Sequence, residues 1–122
     1  MSEGTVIDAS VIAELRGLES STDPQFLNRL IDLFIEETPR RLEAIGEAAG
    51  SADARALAGE AHRLKGGSAH LGARRMAALC EILEEQGRAG SVIGASALLN
   101  VLLEEFDRVR QALEREKKKE SV

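Results

Sequence analysis

The sequence predicts an all-α protein, an antiparallel up-and-down four-helix bundle with a short extra N-terminal helix. Three observations carry this expectation. Apolar residues recur at spacings of three and four along most of the chain, and no stretch alternates as a half-buried strand would. Capping and breaking residues divide the periodic stretches at regular intervals. The connections left between them are short, so neighbouring helices run antiparallel. At 122 residues the chain suits one domain over 1–122, burying roughly two thirds of its unfolded surface.

Taken in order, Asp8 can cap a short helix over 8–18, with Val11, Ile12, Leu15 and Leu18 apolar and Gly17 near its end. Ser21-Thr22-Asp23-Pro24 combines a capping Asp with Pro at the first helical position, starting a helix over 24–49. Phe26, Leu27, Leu30, Ile31, Phe34, Leu42 and Ile45 form its apolar stripe. Pro39 either kinks this helix or restarts it with Thr38 as cap, and one kinked helix ending near Gly50 is favoured. Ser51-Ala52-Asp53 opens a third helix over 52–71, stopped at Gly72. A fourth spans 73–87, closed by Gly87 with Gly90 beyond. The last covers 94–117, with Ala95, Leu98, Leu99, Leu102, Phe106, Val109 and Leu113 as its stripe. Lys117-Lys118-Lys119 reads as the cationic end of that helix, complementing its dipole, rather than as a basic recognition tail.

Composition removes several function classes. A formal charge of −5 argues against nucleic acid, because phosphate contacts need a basic face. Three Phe, with no Trp or Tyr, supply no base-stacking platform. The single Cys, Cys80, excludes a disulfide framework and a Cys-rich zinc module, and suits a reducing compartment. Glu3, Asp8 and Glu14 occupy the stretch where a signal peptide would be basic and apolar. The longest apolar run, Val92 to Leu103, is broken by Asn100 and is too short for a span of about 20 residues. The expectation is a soluble, cytoplasmic monomer that uses no membrane. Eleven glycines are nevertheless a high count for a helical chain.

The third helix carries the chemistry. Leu57, Ala61, Leu64, Ser68 and Leu71 mark its core face, and at about 100° per residue His62 points roughly 150° from the centre of that face. A satisfied core histidine is therefore a poor account of His62. Around it on the wheel lie Ala58, Gly59, Gly66 and Ala69, together with Lys65. A mid-helix glycine costs about 1 kcal/mol relative to alanine. A cleared strip beside an exposed imidazole lets another protein's backbone approach the ring; Gly67, off that strip, fits helix packing instead. An imidazole is a competent nucleophile near neutral pH. Lys65 beside it would offset the charge of a phosphoryl group carried on the ring. The ring also needs an orienting acceptor from the facing helix, where Glu81, Glu84 and Glu85 are candidates.

His70 lies about 80° round the helix from His62, near the helix end, and reads as a surface residue. His62, His70 and Cys80 make no metal site, because the two His are neither three nor four residues apart and no fourth ligand is apparent. No metal or cofactor is expected. Lys65-Gly66-Gly67 sits in mid-helix and is no nucleotide loop, so autonomous kinase activity is not expected.

The run Ala61-His62-Arg63-Leu64-Lys65-Gly66-Gly67-Ser68-Ala69-His70-Leu71-Gly72-Ala73 resembles the signature of histidine-containing phosphotransfer (HPt) domains, a His-x-Leu-Lys-Gly-small-small pattern closing with an apolar residue and Gly. Leu79-Cys80-Glu81, Leu83-Glu84 and Gly87-Arg88 resemble the next helix of that family. The resemblance implies a phosphorelay intermediate in which His62 accepts a phosphoryl group from a receiver-domain phospho-aspartate and passes it to another receiver aspartate. Lys65 would stabilise the group and Gly66 would admit the partner. The family commonly places Glu or Gln 22 positions after the His to bond the inner ring nitrogen, which here is Glu84. Mg²⁺ would be held by the receiver's acidic pocket, because this chain offers no carboxylate cluster around His62.

Docking is expected on Gly59, Arg63, Gly66 and Ala69, with Arg55 tuning partner choice and exposed members of Leu30, Leu33, Phe34, Val11 and Ile12 adding apolar contact. The resemblance implies response-regulator receiver domains, and a hybrid sensor kinase, as the expected partners. Two other readings are an HPt-like adaptor that binds without phosphotransfer and the phospho-accepting domain of a larger sensor kinase. An intact set of His62, Lys65 and Gly66 argues against the first. The chain ends suit either a free protein or a trimmed fragment.

Overall fold

A computed structural model describes the backbone of residues 6–121 and the side chains of residues 6–117. Gly4 and the side chains of Lys118 and Lys119 lie outside the described residues. Five helices follow one another: α1 Ala9–Gly17, α2 Phe26–Gly50, α3 Ala54–His70, α4 Arg74–Arg88 and α5 Ala95–Ser121. Helices α2 to α5 form the four-helix bundle and α1 is the extra N-terminal helix, so the expected fold class is the observed one. Each bundle helix packs on two others, in the ring α2–α3–α4–α5, and α3 with α4 is the most extensive pair.

The core is the sum of the inward stripes. Leu27, Ile31 and Ile45 of α2 meet Leu57 and Leu64 of α3, Met76 and Leu83 of α4, and Leu102, Val109 and Leu113 of α5, all fully buried. Phe34 and Phe106 meet edge to face across α2 and α5, with ring centroids 6.0 Å apart. Among the described residues no helix is long and apolar enough to cross a membrane.

Local chemistry explains the boundaries, with two departures from expectation. The Asp8 carboxylate caps α1 by accepting from Ser10 N–H at 2.9 Å, and Asp53 caps α3 by accepting from Ala56 N–H at 3.0 Å. Asp23 does not cap α2. Residues 20–23 close a tight turn, and the Asp23 carboxylate is taken up in a fork by the Arg29 guanidinium, at 2.7 Å on each oxygen. The helix therefore starts at Phe26, beyond Pro24, and the Glu19 carboxylate accepts the Leu27 N–H at 3.0 Å. Helix α2 then continues through Pro39 as one element. Thr38 is not a cap: it is buried in mid-helix and its hydroxyl donates to the Phe34 carbonyl at 2.6 Å. At the far end of the bundle, Lys117 pairs with Asp32, tying α5 to α2.

Gly87 is the second departure. It does not close α4 but lies inside it, where α4 crosses α3. A Cβ there would stand 2.6 Å from the Ala54 carbonyl oxygen and 2.7 Å from the Ala58 nitrogen. The glycine thus sets the separation of the two helices. Gly72, by contrast, ends α3 with φ +78° and is closed in by Val11 and the Asp8 backbone. Asp8 N–H donates to the Gly72 carbonyl at 2.9 Å, and the Asp8 carboxylate meets Arg74 at 2.6 Å, which docks the start of α1 on the α3–α4 turn.

Candidate functional site

With Gly87 seated against Ala58, the antiparallel course of the two helices brings Glu84, one turn back along α4, beside His62, one turn on along α3. The His62 side chain is 62% exposed, whereas that of Glu84 is 2% exposed. Nδ1 of His62 and Oε2 of Glu84 are 2.9 Å apart. Of the three acids on that stretch of α4, only Glu84 is buried; Glu81 and Glu85 face solvent.

Two cations also hold Glu84. Lys65 Nζ lies 2.7 Å from Oε1, and Arg88 Nη2 lies 2.6 Å from Oε2. The Lys65 contact, ahead of those from His62 and Arg88, keeps the Glu84 carboxyl below its ordinary range against the opposing effect of burial. Glu84 in turn raises the Lys65 ammonium above its usual value. The carboxylate is therefore ionised at neutral pH and can only accept, so the proton in its bond to the ring sits on Nδ1. Nε2 of the neutral ring then carries the free lone pair.

Lys65 is thus engaged with Glu84 rather than standing free beside the ring. Arg88 is the site residue that sequence reasoning missed. Its signal was present, because Arg88 follows Glu84 by four positions on one helix face.

The surface around His62 is bare. Gly59 and Gly66 are exposed, and a Cβ on either would meet nothing within 4 Å. Ala69 and Arg55 are exposed as well. Gly67 lies against the Phe34 ring, 3.6 Å from where its Cβ would be, and Ser68 turns inward to donate to the Leu64 carbonyl at 2.8 Å. Arg63 pairs with Glu60 at 3.1 Å, and Glu60 also approaches Arg41 of α2 at 3.9 Å. Beside this lattice of charges, a groove of about 290 Å³ opens between α2 and α3, lined among others by Leu30, Leu33, Phe34 and His70. Leu33 is half in solvent and Leu30 partly buried.

Two of the expected docking residues are core residues. Phe34 is only 8% exposed, because its position on the α2 stripe turns it toward Phe106, and one part of its ring lines the groove. Ile12 is buried under α1. His70 is exposed, with Nδ1 3.2 Å from the Gly66 carbonyl. Burial pushes the Cys80 thiol up to about 12, which leaves it inert as a nucleophile. Among the described residues, no group of three or more His, Cys, Asp or Glu could hold a metal ion.

Comparison with known proteins identifies the family. The family model of the Hpt domain matches residues 29–112. Histidine-containing phosphotransfer protein 4 of Arabidopsis thaliana is 30% identical over 103 residues, 83% of this chain and 81% of the relative. Histidine-containing phosphotransfer protein 2 of the same plant is 26% identical over 104 residues, 83% of this chain and 67% of the relative. The solved structure of histidine-containing phosphotransfer protein B (HptB) from Pseudomonas aeruginosa PAO1 superposes with a TM-score of 0.84 at 33% identity, covering 93% of this chain and 96% of that one. The chain belongs to the histidine-containing phosphotransfer family and is a phosphorelay intermediate.

Proposed function

We propose that His62 is the phospho-accepting residue, taking the group from a receiver-domain phospho-aspartate and passing it to another receiver aspartate. The observation that carries this reading is the 2.9 Å contact of His62 Nδ1 with Glu84, on a ring whose other edge is in solvent. In the accepting step the Nε2 lone pair forms the N–P bond as the P–O bond to the aspartate breaks, and that bond's electron pair leaves with the aspartate carboxylate. The Nδ1 proton stays on the ring, which becomes an imidazolium held by the Glu84 carboxylate. The return step reverses each of these changes.

Catalysis of such in-line transfer rests on positioning and charge. Glu84 fixes the tautomer and the ring plane, and Lys65 balances the phosphoryl charge. Gly59 and Gly66 keep the approach clear, while Arg63, Ala69 and the groove beside Leu30 and Leu33 receive the partner. Mg²⁺ enters with the receiver's acidic pocket, and this chain contributes no cofactor of its own. It acts as a carrier without autonomous kinase activity, as a soluble, cytoplasmic monomer that meets response-regulator receivers and a hybrid sensor kinase.

The test is to mix the chain with a receiver carrying labelled phosphate on its aspartate. Acid-labile, alkali-stable label is expected on the wild type and on His70→Gln, and none on His62→Gln. Label surviving His62→Gln would overturn the assignment.

A further inference from the structure

Glu84 poses a problem for a phosphorylated ring. It is a full negative charge, buried, and within hydrogen-bond reach of the imidazole that would carry a phosphoryl dianion. Lys65 is the cation nearest both anions, and its ammonium already sits on Glu84 Oε1 at 2.7 Å, so its single charge must be divided between them once the ring is phosphorylated. If Lys65 turned to the phosphoryl oxygens, the buried Glu84 carboxylate would lose its closest-held ammonium and keep, from the site itself, only the ring N–H, whose positive charge is shared with the phosphoryl group the ring carries.

Arg88 resolves this. Its guanidinium reaches the other oxygen, Oε2, at 2.6 Å, the same oxygen that accepts from His62 Nδ1. Arg88 is itself largely exposed at the end of α4, so it bonds Glu84 without adding a second buried charge. Its planar donor fork can keep a carboxylate paired through one edge while leaving the other oxygen free.

We infer that Arg88 is a positioning residue for phosphotransfer, one that holds Glu84 charge-compensated so that Lys65 can leave Oε1 for the incoming phosphoryl group. The inference rests on the His62 reading above and deepens it. A carboxylate at position 84 makes Arg88 necessary. A neutral amide acceptor there would not, since it would leave no buried charge to compensate and would hold Lys65 by no more than a hydrogen bond to a neutral oxygen.

The test is a double-substitution cycle, read as the rate of transfer from a phosphorylated receiver and as the half-life of the phosphohistidine. With Glu84 in place, Arg88→Gln should lower the rate and shorten the half-life by about tenfold, the scale of one charge-assisted hydrogen bond. Arg88→Lys, which keeps the charge, should stay within about twofold of wild type. In the Glu84→Gln background the same Arg88→Gln change should alter neither quantity by more than about twofold. Equal losses from Arg88→Gln in both backgrounds would mean that Arg88 acts on the partner or the fold rather than through Glu84, and would overturn the inference. So would the absence of any loss with Glu84 present. Thermal melts of each variant separate unfolding from slowed transfer, and Arg88→Lys keeps the cycle readable if Arg88→Gln melts early. Failure of the wild type to take label on His62 overturns both readings together, whereas label on His62 with no coupling overturns only this one.

Discussion

Gly87 of α4 rests on the backbone of α3 at Ala58, so closely that the Ala58 nitrogen is 2.7 Å from the place a Cβ would take. One turn away from this contact on each helix stand Glu84 and His62, and their 2.9 Å hydrogen bond depends on the same helix separation. Gly87→Ala should therefore cost about 1–3 kcal/mol of stability, the usual range for overpacking, and slow phosphotransfer as well. Because the nearest obstacles are main-chain atoms, adding Ala58→Gly should not restore either property. Denaturant unfolding of the single and double variants checks this, and a rescue by Ala58→Gly would show that the methyl–methyl contact dominates.

Gly66 should give the opposite sign on stability. A methyl group there meets no atom of the chain, so Gly66→Ala gains helix propensity of about 1 kcal/mol with no packing penalty. The stabilised variant is expected to transfer phosphate more slowly, because the methyl intrudes on the partner's approach to His62. A Gly66→Ala protein that is both more stable and equally fast would remove the strip from the docking surface.

Glu84→Ala removes the acceptor that orients the ring. Transfer should slow by about tenfold, while the helical circular-dichroism signal is retained. An unchanged single-turnover rate would take Glu84 out of the site.

Stability should depend on pH through the same group. Glu84 has its folded-state value depressed below the ordinary 4.5, mainly by Lys65, so its contribution is complete above 4.5 and is lost as the pH falls through the folded value. Lys65 is raised above the ordinary 10.5, so its contribution is complete below 10.5 and is lost as the pH rises through the folded value. The pair thus predicts a plateau between these limits. Acid unfolding followed by circular dichroism should show a shallower loss below pH 4.5 in Glu84→Gln than in wild type.

The helices were legible in the sequence because their stripes, their caps at Asp8 and Asp53, and the Gly72 stop are local signals. What escaped was what distant residues decide. Asp23 looked like a cap until Arg29, six residues on, claimed its carboxylate. Gly87 looked like a terminator, because a sequence does not reveal which glycine faces another helix at van der Waals distance. His62 stood out through the emptiness of its surroundings, a local property. The occupation of Lys65 by Glu84 needed the two helices in register, whereas the Arg88–Glu84 pair, four residues apart on α4, was within reach of the sequence. Phe34 shows the converse: it is both a stripe residue and a docking candidate in the sequence, and the stripe position prevails, turning it to Phe106 with only part of its ring on the groove.

The tethering of His62 by its inner edge has a consequence for traffic through the relay. Glu84 occupies one ring nitrogen, so a single nitrogen is left to face outward. On the proposed assignment, a donor and a recipient would both need that atom and the bare strip around it, and two proteins could not stand there together. Partners must queue. The carrier cannot broker a handover within a ternary assembly, and the first partner has to depart before the second arrives. Relay speed is then governed by how quickly each encounter dissolves, and an abundant but unproductive receiver would act as a competitive brake.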